Sequence, residues 1–165
     1  MHLAEAENLV TDVIQELTFL VQEIYPIALQ EKGLVTTLRE HIFEWENRND
    51  INIQLITRNV QRLPLEVEQA LYRITQEALA NVARHSHARR VDVSLAYNSD
   101  SVQLSISDDG CGFVVNSKHG MGLRSIRERV GSIHGTMQIQ SAPGQGARLL
   151  VQVPTKNGER GNHGK

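Results

Sequence analysis

Apolar positions along the 165-residue chain recur with two different periods, which predict two kinds of secondary structure. A period of about 3.6 residues predicts amphipathic helices over residues 4–24, 34–47, 64–85 and 123–134. Alternation of apolar and polar residues predicts strands over residues 51–56, 91–95, 102–106, 137–140 and 148–153. Turn-forming residues predict hairpins between the second and third strands and around Pro143 and Gly144. Gly135 is predicted to end the last helix.

Composition and charge narrow the class of protein. Hydrophobic residues make up 40% of the chain, which is enough for the core of one globular domain with a short extension. The formal net charge of -2 argues against nucleic acid as a partner. The single cysteine, Cys111, excludes an internal disulfide and is typical of a reducing compartment. With no signal-peptide pattern and no apolar run near the ~20 residues of a membrane helix, we expect a cytoplasmic domain.

The third predicted helix carries a polar stripe beside its apolar face. Glu77, Asn81, Arg84 and His85 are spaced i, i+4, i+7 and i+8, which places them on one side of a helix. An acid, an amide and two basic side chains in this arrangement suit a nucleotide phosphate and its metal ion. The sequence therefore predicts a polar surface that lines a pocket at the edge of the core.

Three clusters of glycine follow the stripe, at residues 108–112, 120–122 and 144–146. Glycine lets a backbone approach a ligand closely, and a Gly-x-Gly pair directly before a helix leaves N–H groups that can bind an anion. Gly120 and Gly122 have this arrangement, although a lone pair of this kind is more commonly a tight loop. The spacing matches neither a P-loop nor a dinucleotide-binding fingerprint.

Individual residues allow both a functional and a purely structural interpretation. The Asp108 carboxylate can accept a hydrogen bond from an exocyclic amine such as that of adenine, or it can simply form a turn. The Asn81 side chain offers a neutral oxygen that suits Mg²⁺, or it is a buried amide bonded to backbone. Glu77 can orient a metal-bound water or act as a base, or it is a solvated acid. Arg84 and His85 either meet phosphate oxygens or are exposed.

Together, and in this order, these segments resemble the catalytic ATP-binding domain of two-component sensor histidine kinases, which belongs to the GHKL superfamily. Residues 72–85 resemble the N box of the subfamily that pairs with helix-turn-helix response regulators. Residues 108–113 resemble the first glycine box, residues 120–123 with 128–130 the second, and residues 144–146 the last. The resemblance covers residues 33–154.

The resemblance implies an α/β two-layer sandwich of the GHKL (Bergerat) type, a mixed sheet with helices on one face. It implies ATP and Mg²⁺ as cofactors and Glu77 as the catalytic residue, beside the metal-bound water and the γ-phosphate. Asn81 would ligate Mg²⁺, Asp108 would bind the adenine amine, and residues 114–121 would form a short lid. The nucleotide-binding residues implied are Asn81, Arg84, His85, Asp108, Gly110, Gly112, Gly120, Gly122 and Leu123.

The resemblance also implies partners and a division of the chain. Residues 1–30 resemble the second helix of the dimerisation unit, residues 31–154 the catalytic domain, and residues 155–165 a disordered tail. None of the seven histidines precedes Asp or Glu, the pattern expected of the phosphoacceptor. The γ-phosphoryl group would therefore pass to a histidine on an upstream helix absent from this chain, and then to an aspartate of a response regulator. The implied partners are ATP, ADP, this upstream helix and the response regulator. The full-length protein is expected to form a homodimer, and the resemblance is compatible with a membrane anchor outside this domain.

The sequence departs from the family pattern at one position in the last glycine box. Ala147 follows Gly146 where the family usually has Thr, so one hydrogen bond of the adenine site is missing. Three alternatives stay open at this point: a stand-alone serine kinase of the anti-sigma-factor type, a degenerate nucleotide-binding module, and an α/β interaction domain without a ligand.

Overall fold

The structure, a computed structural model, describes residues 27–115 and 121–155. Its α-helices are α1 (Ile27–Lys32), α2 (Leu34–Asn49), α3 (Leu65–Asn81) and α4 (Met121–Ser132). A π-helical turn, Val82–Ser86, continues directly from α3. The strands are β1 (Asn52–Arg58), β2 (Arg90–Tyr97), β3 (Ser101–Asp108), β4 (Thr136–Ser141) and β5 (Ala147–Pro154). The helix predicted over residues 4–24 lies outside the described residues, and the division of the chain into domains stays a prediction.

The described strands form one mixed five-stranded sheet in the order β1-β2-β3-β5-β4. Strands β1 and β2 run parallel and are joined by the crossover through α3, whereas the other neighbours are antiparallel. Because β5 inserts between β3 and β4, the last residue of β3 lies opposite the first residue of β5, with Asp108 paired to Ala147. The first and last glycine clusters therefore meet at one end of the sheet.

One face of the sheet packs against the helices, and the other is largely polar. The strand residues that face the helices alternate with polar ones, as the period of two requires. Those almost fully buried are Val91, Val93, Leu95, Val102, Leu104, Ile106, Val151 and Val153. The apolar stripe of α3 supplies Leu71, Ile74, Ala78 and Leu79 to the same core. The predicted two-layer arrangement with helices on one face is confirmed.

Helix α1 is tied to the start of α3 by an arginine and a buried acid. The Arg62 guanidinium donates hydrogen bonds to the carbonyls of Leu29 and Gln30, both at 3.1 Å. Its Nε lies 3.4 Å from Oε1 of Glu68, which is only 1% exposed and also accepts the Leu63 N–H. These contacts fix the first turn of α3 relative to α1.

Within residues 27–115 and 121–155, no helix combines the length and the apolar character that crossing a bilayer requires.

Two helix ends differ from the prediction. The helix predicted over residues 64–85 is α-helical only to Asn81, and the π-helical turn follows. The last helix ends at Ser132, and the left-handed residue after it is His134, with φ 53°, rather than the predicted Gly135. Gly135 instead allows close packing, because a Cβ there would lie 3.0 Å from the Gln152 carbonyl oxygen. The short-range pattern could not reveal this contact with β5.

The central strand provides a test of the core. Leu104 is fully buried on β3, between Leu95 and Val151 of the neighbouring strands. Leu104→Ala is expected to lower the free energy of unfolding by about 2–5 kcal/mol, because it leaves a cavity in a close-packed site. Urea denaturation followed by circular dichroism measures the change. Gln152→Ala, on an exposed position of β5, is the control; equal losses for the two variants would contradict the assignment of the core.

Candidate functional site

The polar stripe lies at the C-terminal end of α3. Glu77 and Asn81 are one helical turn apart, and Arg84 follows in the π-helical turn. Nη2 of Arg84 lies 3.2 Å from Oε1 of Glu77 and 3.5 Å from Oδ1 of Asn81. Three of the four predicted stripe residues therefore form a connected group, in which the Arg84 guanidinium faces two oxygens, and the side chain of His85 is not part of it.

Helix α4 begins directly against this group. A Cβ placed on Gly122 would lie 2.6 Å from Oε1 of Glu77 and 2.7 Å from Oδ1 of Asn81. A larger residue at this position would displace these two side chains from their present places. Leu123 is partly buried against the core. The structure thus brings the second glycine cluster to the polar stripe, although Gly120 lies outside the described residues.

Asp108 occupies the last position of β3, half-buried. Its Oδ1 accepts a hydrogen bond of 2.9 Å from the Gly110 N–H. Burial raises the pKa of the Asp108 carboxyl above its usual value, and the neighbouring Asp109 carboxylate adds to this rise. The backbone N–H groups of Gly110 and Ala147 act in the opposite direction. A carboxylate held partly out of water, with lone pairs left over, can accept a hydrogen bond from a ligand.

The loop after β3 is held against the π-helical turn. The Cys111 N–H donates a 2.7 Å hydrogen bond to the carbonyl of Ser86, and Cys111 Sγ lies 3.3 Å from the carbonyl oxygen of His85. A Cβ on Gly110 would overlap the same Ser86 carbonyl. This contact joins the Asp108 loop to the end of the polar stripe, two segments that are more than twenty residues apart in sequence. The His85 residue itself is exposed.

The last glycine cluster closes over the first. Gly112 and Gly146 have positive φ angles of 61° and 69°. A Cβ on Gly112 would overlap the Ala142 carbonyl, and one on Gly146 would overlap the Asp108 carbonyl. The Gly144 N–H also donates a 2.6 Å hydrogen bond to the Cys111 carbonyl. Close backbone contact therefore requires glycine at 112 and 146, and the contact of Gly146 lies directly against Asp108.

Three residues with structural roles at the site were not found from the sequence. Asp109 Oδ1 accepts hydrogen bonds from the N–H groups of Arg89 and Arg90, at 2.8 and 3.0 Å, and these bonds hold the pKa of Asp109 below its usual value. Ser86 supplies the carbonyl described above. Ser141 Oγ accepts the Phe113 N–H and donates to the Gly146 carbonyl. The Asp-Asp pair gave a weak signal for Asp109, and nothing in the sequence points to Ser141.

A separate cleft of about 500 Å³ lies between α4 and β4. Its lining includes Val115, Val130, Met137 and Ile139, and none of the predicted site residues. The cleft is thus distinct from the place where the polar stripe and the glycine loops meet. The most concave surface described above and the residues that carry the candidate chemistry therefore lie at different places on the domain.

The donor set at the stripe fits a hard divalent cation that shares its coordination with a ligand. Over residues 27–115 and 121–155, no cluster of three or more His, Cys, Asp or Glu could hold a metal ion by itself. Glu77 and Asn81 instead present one carboxylate and one amide oxygen to a common positive charge, the Arg84 guanidinium. Oxygen ligands of this kind suit Mg²⁺ when phosphates and water complete its shell.

Comparison with known proteins identifies the family and the fold. Residues 66–157, more than half of the chain, match the family described as histidine kinase-, DNA gyrase B-, and HSP90-like ATPase. A solved structure, the Acinetobacter baumannii histidine kinase AdeS, has the same fold, with a TM-score of 0.64 at 18% identity. The match covers 91% of this chain and 84% of that one.

Similar proteins carry sensor kinase names. The chain is 32% identical over 159 residues to the sensor histidine kinase LiaS of Bacillus subtilis, covering 95% of this chain and 44% of LiaS. It is 36% identical over 138 residues to the signal transduction histidine-protein kinase/phosphatase DegS of Bacillus subtilis, covering 78% of this chain and 36% of DegS. The chain thus spans less than half the length of these relatives. It belongs to the histidine kinase-, DNA gyrase B-, and HSP90-like ATPase family and is an ATP-binding domain.

Proposed function

We propose that this domain binds Mg-ATP and that, within a full-length sensor histidine kinase, it delivers the γ-phosphoryl group to a histidine on an upstream helix. The observation that carries this proposal is the junction of the polar stripe with the Asp108 loop, through the Ser86 carbonyl and Gly110. It joins residues suited to a metal and phosphates to a carboxylate suited to an adenine amine. The sensor kinase names of the relatives support the same proposal.

Six of the predicted site residues have direct roles in this proposal. Asp108 accepts a hydrogen bond from the adenine amine, and Gly112 leaves room for the base. Asn81 supplies an oxygen to Mg²⁺, which when bound neutralises phosphate charge. Glu77 would orient a water of that ion beside the γ-phosphate, and Arg84 and His85 would bind phosphate oxygens.

Transfer of a phosphoryl group depends mainly on positioning and on neutralising charge. The bond between the γ-phosphorus and the bridging oxygen breaks, a bond to an imidazole nitrogen forms, and ADP leaves. We propose that the acceptor lies on an upstream helix, since no histidine of this chain precedes an acid. An aspartate of a response regulator then receives the phosphoryl group. The full-length protein works as a dimer, either in the cytoplasm or anchored to a membrane. The sensor kinase relatives do not favour the anti-sigma-factor alternative.

Substitution of two site residues separates base recognition from metal recognition. Asp108→Asn is expected to abolish Mg-ATP binding. The substitution replaces one carboxylate oxygen by an NH₂ group, which donates hydrogen bonds and cannot accept one from the adenine amine. Asn81→Ala is expected to leave weak ATP binding that no longer depends on Mg²⁺. Isothermal titration calorimetry with ATP, with and without Mg²⁺, measures both effects.

Two exposed residues provide matched controls for this titration. Asp92→Asn makes the same chemical change on the polar face of β2, where Asp92 pairs with Arg90. Asn98→Ala lies at the opposite end of the sheet from Asp108. Both controls should bind Mg-ATP as the natural chain does. Full binding by Asp108→Asn would exclude the proposed adenine site.

The stability of Asp108→Asn provides a second test, based on pH. Because burial raises the pKa of Asp108 in the folded chain, the charged carboxylate costs folding free energy above that pKa. Asp108→Asn should therefore unfold at the same or a higher urea concentration than the natural chain at pH 7. The difference should shrink as the pH falls through the raised pKa of the folded state towards the ordinary value of 3.8, below which the carboxyl is protonated in both states. A variant that is markedly less stable at pH 7 would mean that the carboxylate serves folding rather than a ligand.

The alanine after the last glycine cluster provides a gain-of-affinity test. Ala147 has the same strand parity as buried Leu149 and lies opposite Asp108, so its side chain faces the candidate base site. Ala147→Thr is expected to tighten ATP binding about five- to tenfold, the value of one added hydrogen bond of ~1 kcal/mol or slightly more. Ala147→Val has nearly the same shape without the hydroxyl and should show no gain by calorimetry. Equal ATP affinities of the Ala147→Thr and Ala147→Val variants would show that the hydroxyl does not contribute to binding.

A further inference from the structure

Two oxygens of different chemistry converge on a single nitrogen at the end of α3. Nη2 of Arg84 faces Oε1 of Glu77 at 3.2 Å and Oδ1 of Asn81 at 3.5 Å. A Cβ on Gly122 would lie within 2.7 Å of the same two atoms. The two oxygens therefore point into one small shared space beside the first turn of α4. In the proposed function Asn81 would bind Mg²⁺ and Glu77 would lie beside a water of that ion.

The Arg84 side chain bends back over this space, although much of it stays exposed to solvent. Its Nε donates a 3.2 Å hydrogen bond to the carbonyl of Ala80, in the last turn of α3. Side chains of a helix lean towards its N-terminus, so an arginine in the π-helical turn reaches back along the stripe. Three acceptors on α3, a backbone carbonyl, a carboxylate and an amide oxygen, thus fix the guanidinium at this position.

The ion pair is well placed but weak enough to exchange. The Arg84 and Glu77 side chains are 57% and 30% exposed, and pairs with this degree of exposure contribute little net free energy. A cation that binds the Glu77 carboxylate, or an anion that binds the guanidinium, can therefore separate the pair. A divalent ion accompanied by phosphates supplies both, since phosphate oxygens accept the guanidinium fork well.

We propose that Arg84 is a resident cation of the metal site, which competes with Mg²⁺ for Glu77 and Asn81 and passes to the nucleotide phosphates when Mg-ATP binds. This inference rests on the proposed function. Arg84 is a positioning residue in this role: it holds the two oxygens together and lowers the affinity of the site for a divalent ion without nucleotide. The site then binds a divalent ion mainly together with a triphosphate, because the triphosphate offers the displaced guanidinium a new partner.

Binding of Mn²⁺ without nucleotide tests this competition directly. Mn²⁺ prefers the same oxygen ligands as Mg²⁺ and its free form is counted by electron paramagnetic resonance. Arg84→Gln is expected to bind Mn²⁺ about three- to fivefold more tightly than the natural chain, the amount by which a half-exposed ion pair would oppose it. Adding Asn81→Ala to Arg84→Gln should remove the gain. Arg84→Met serves as a second neutral variant if Arg84→Gln does not fold.

A charge-matched control separates local competition from a general change in charge. Arg48→Gln removes one positive charge from an exposed pair with Glu44 on α2 and should leave Mn²⁺ binding unchanged. Unchanged or weaker Mn²⁺ binding by both neutral Arg84 variants would overturn the inference, as would an equal gain for Arg48→Gln. Calorimetry of the natural chain with Mg-ATP tests the proposed function separately. Failure of Mg-ATP binding and failure of the competition by Arg84 can therefore be distinguished.

Discussion

Close backbone contact at a few glycines is the constraint on which the site depends. Gly110 lies on the Ser86 carbonyl, Gly112 on the Ala142 carbonyl and Gly146 on the Asp108 carbonyl, and a Cβ at any of them would collide with backbone. Backbone atoms cannot move aside as a flexible side chain can. The three loops therefore fit together only with glycine at these positions, and their fit decides where Asp108 and the end of α3 lie relative to each other.

Helix α3 serves the core and the site at once. Its buried residues pack on the sheet, so the helix cannot rotate without exposing them to water. Its polar stripe is consequently presented at a fixed angle, and the π-helical turn at its end carries Arg84 back over that stripe. At the other end of α3, Glu68 and Arg62 bind the helix to the segment that precedes the sheet. Packing thus supplies the rigidity that a ligand site needs.

At Asp108 the proposed binding role conflicts with stability. Its carboxyl is half-buried beside Asp109, and burial raises its pKa, so the charged form is held at a cost. The Gly110 N–H offsets part of this cost by a hydrogen bond. A group kept charged in a place that disfavours charge is typical of functional sites. Asp109, in contrast, is exposed and stabilised by two backbone N–H groups, so two adjacent aspartates have opposite roles in the same loop.

The sequence by itself determined the five strands, helices α2 to α4 and the polar stripe, because these follow from periods of two and 3.6 residues that are set within a few neighbours. It did not predict the short helix α1, which spans Ile27–Lys32. Only the tertiary structure decided that α3 changes to a π-helical turn after Asn81, that His134 rather than Gly135 turns the chain, and that Gly122 meets Glu77 and Asn81. The contacts of Ser141 and Asp109 are also tertiary. Each depends on atoms of segments that are distant in the chain, and no local period records which segments will meet.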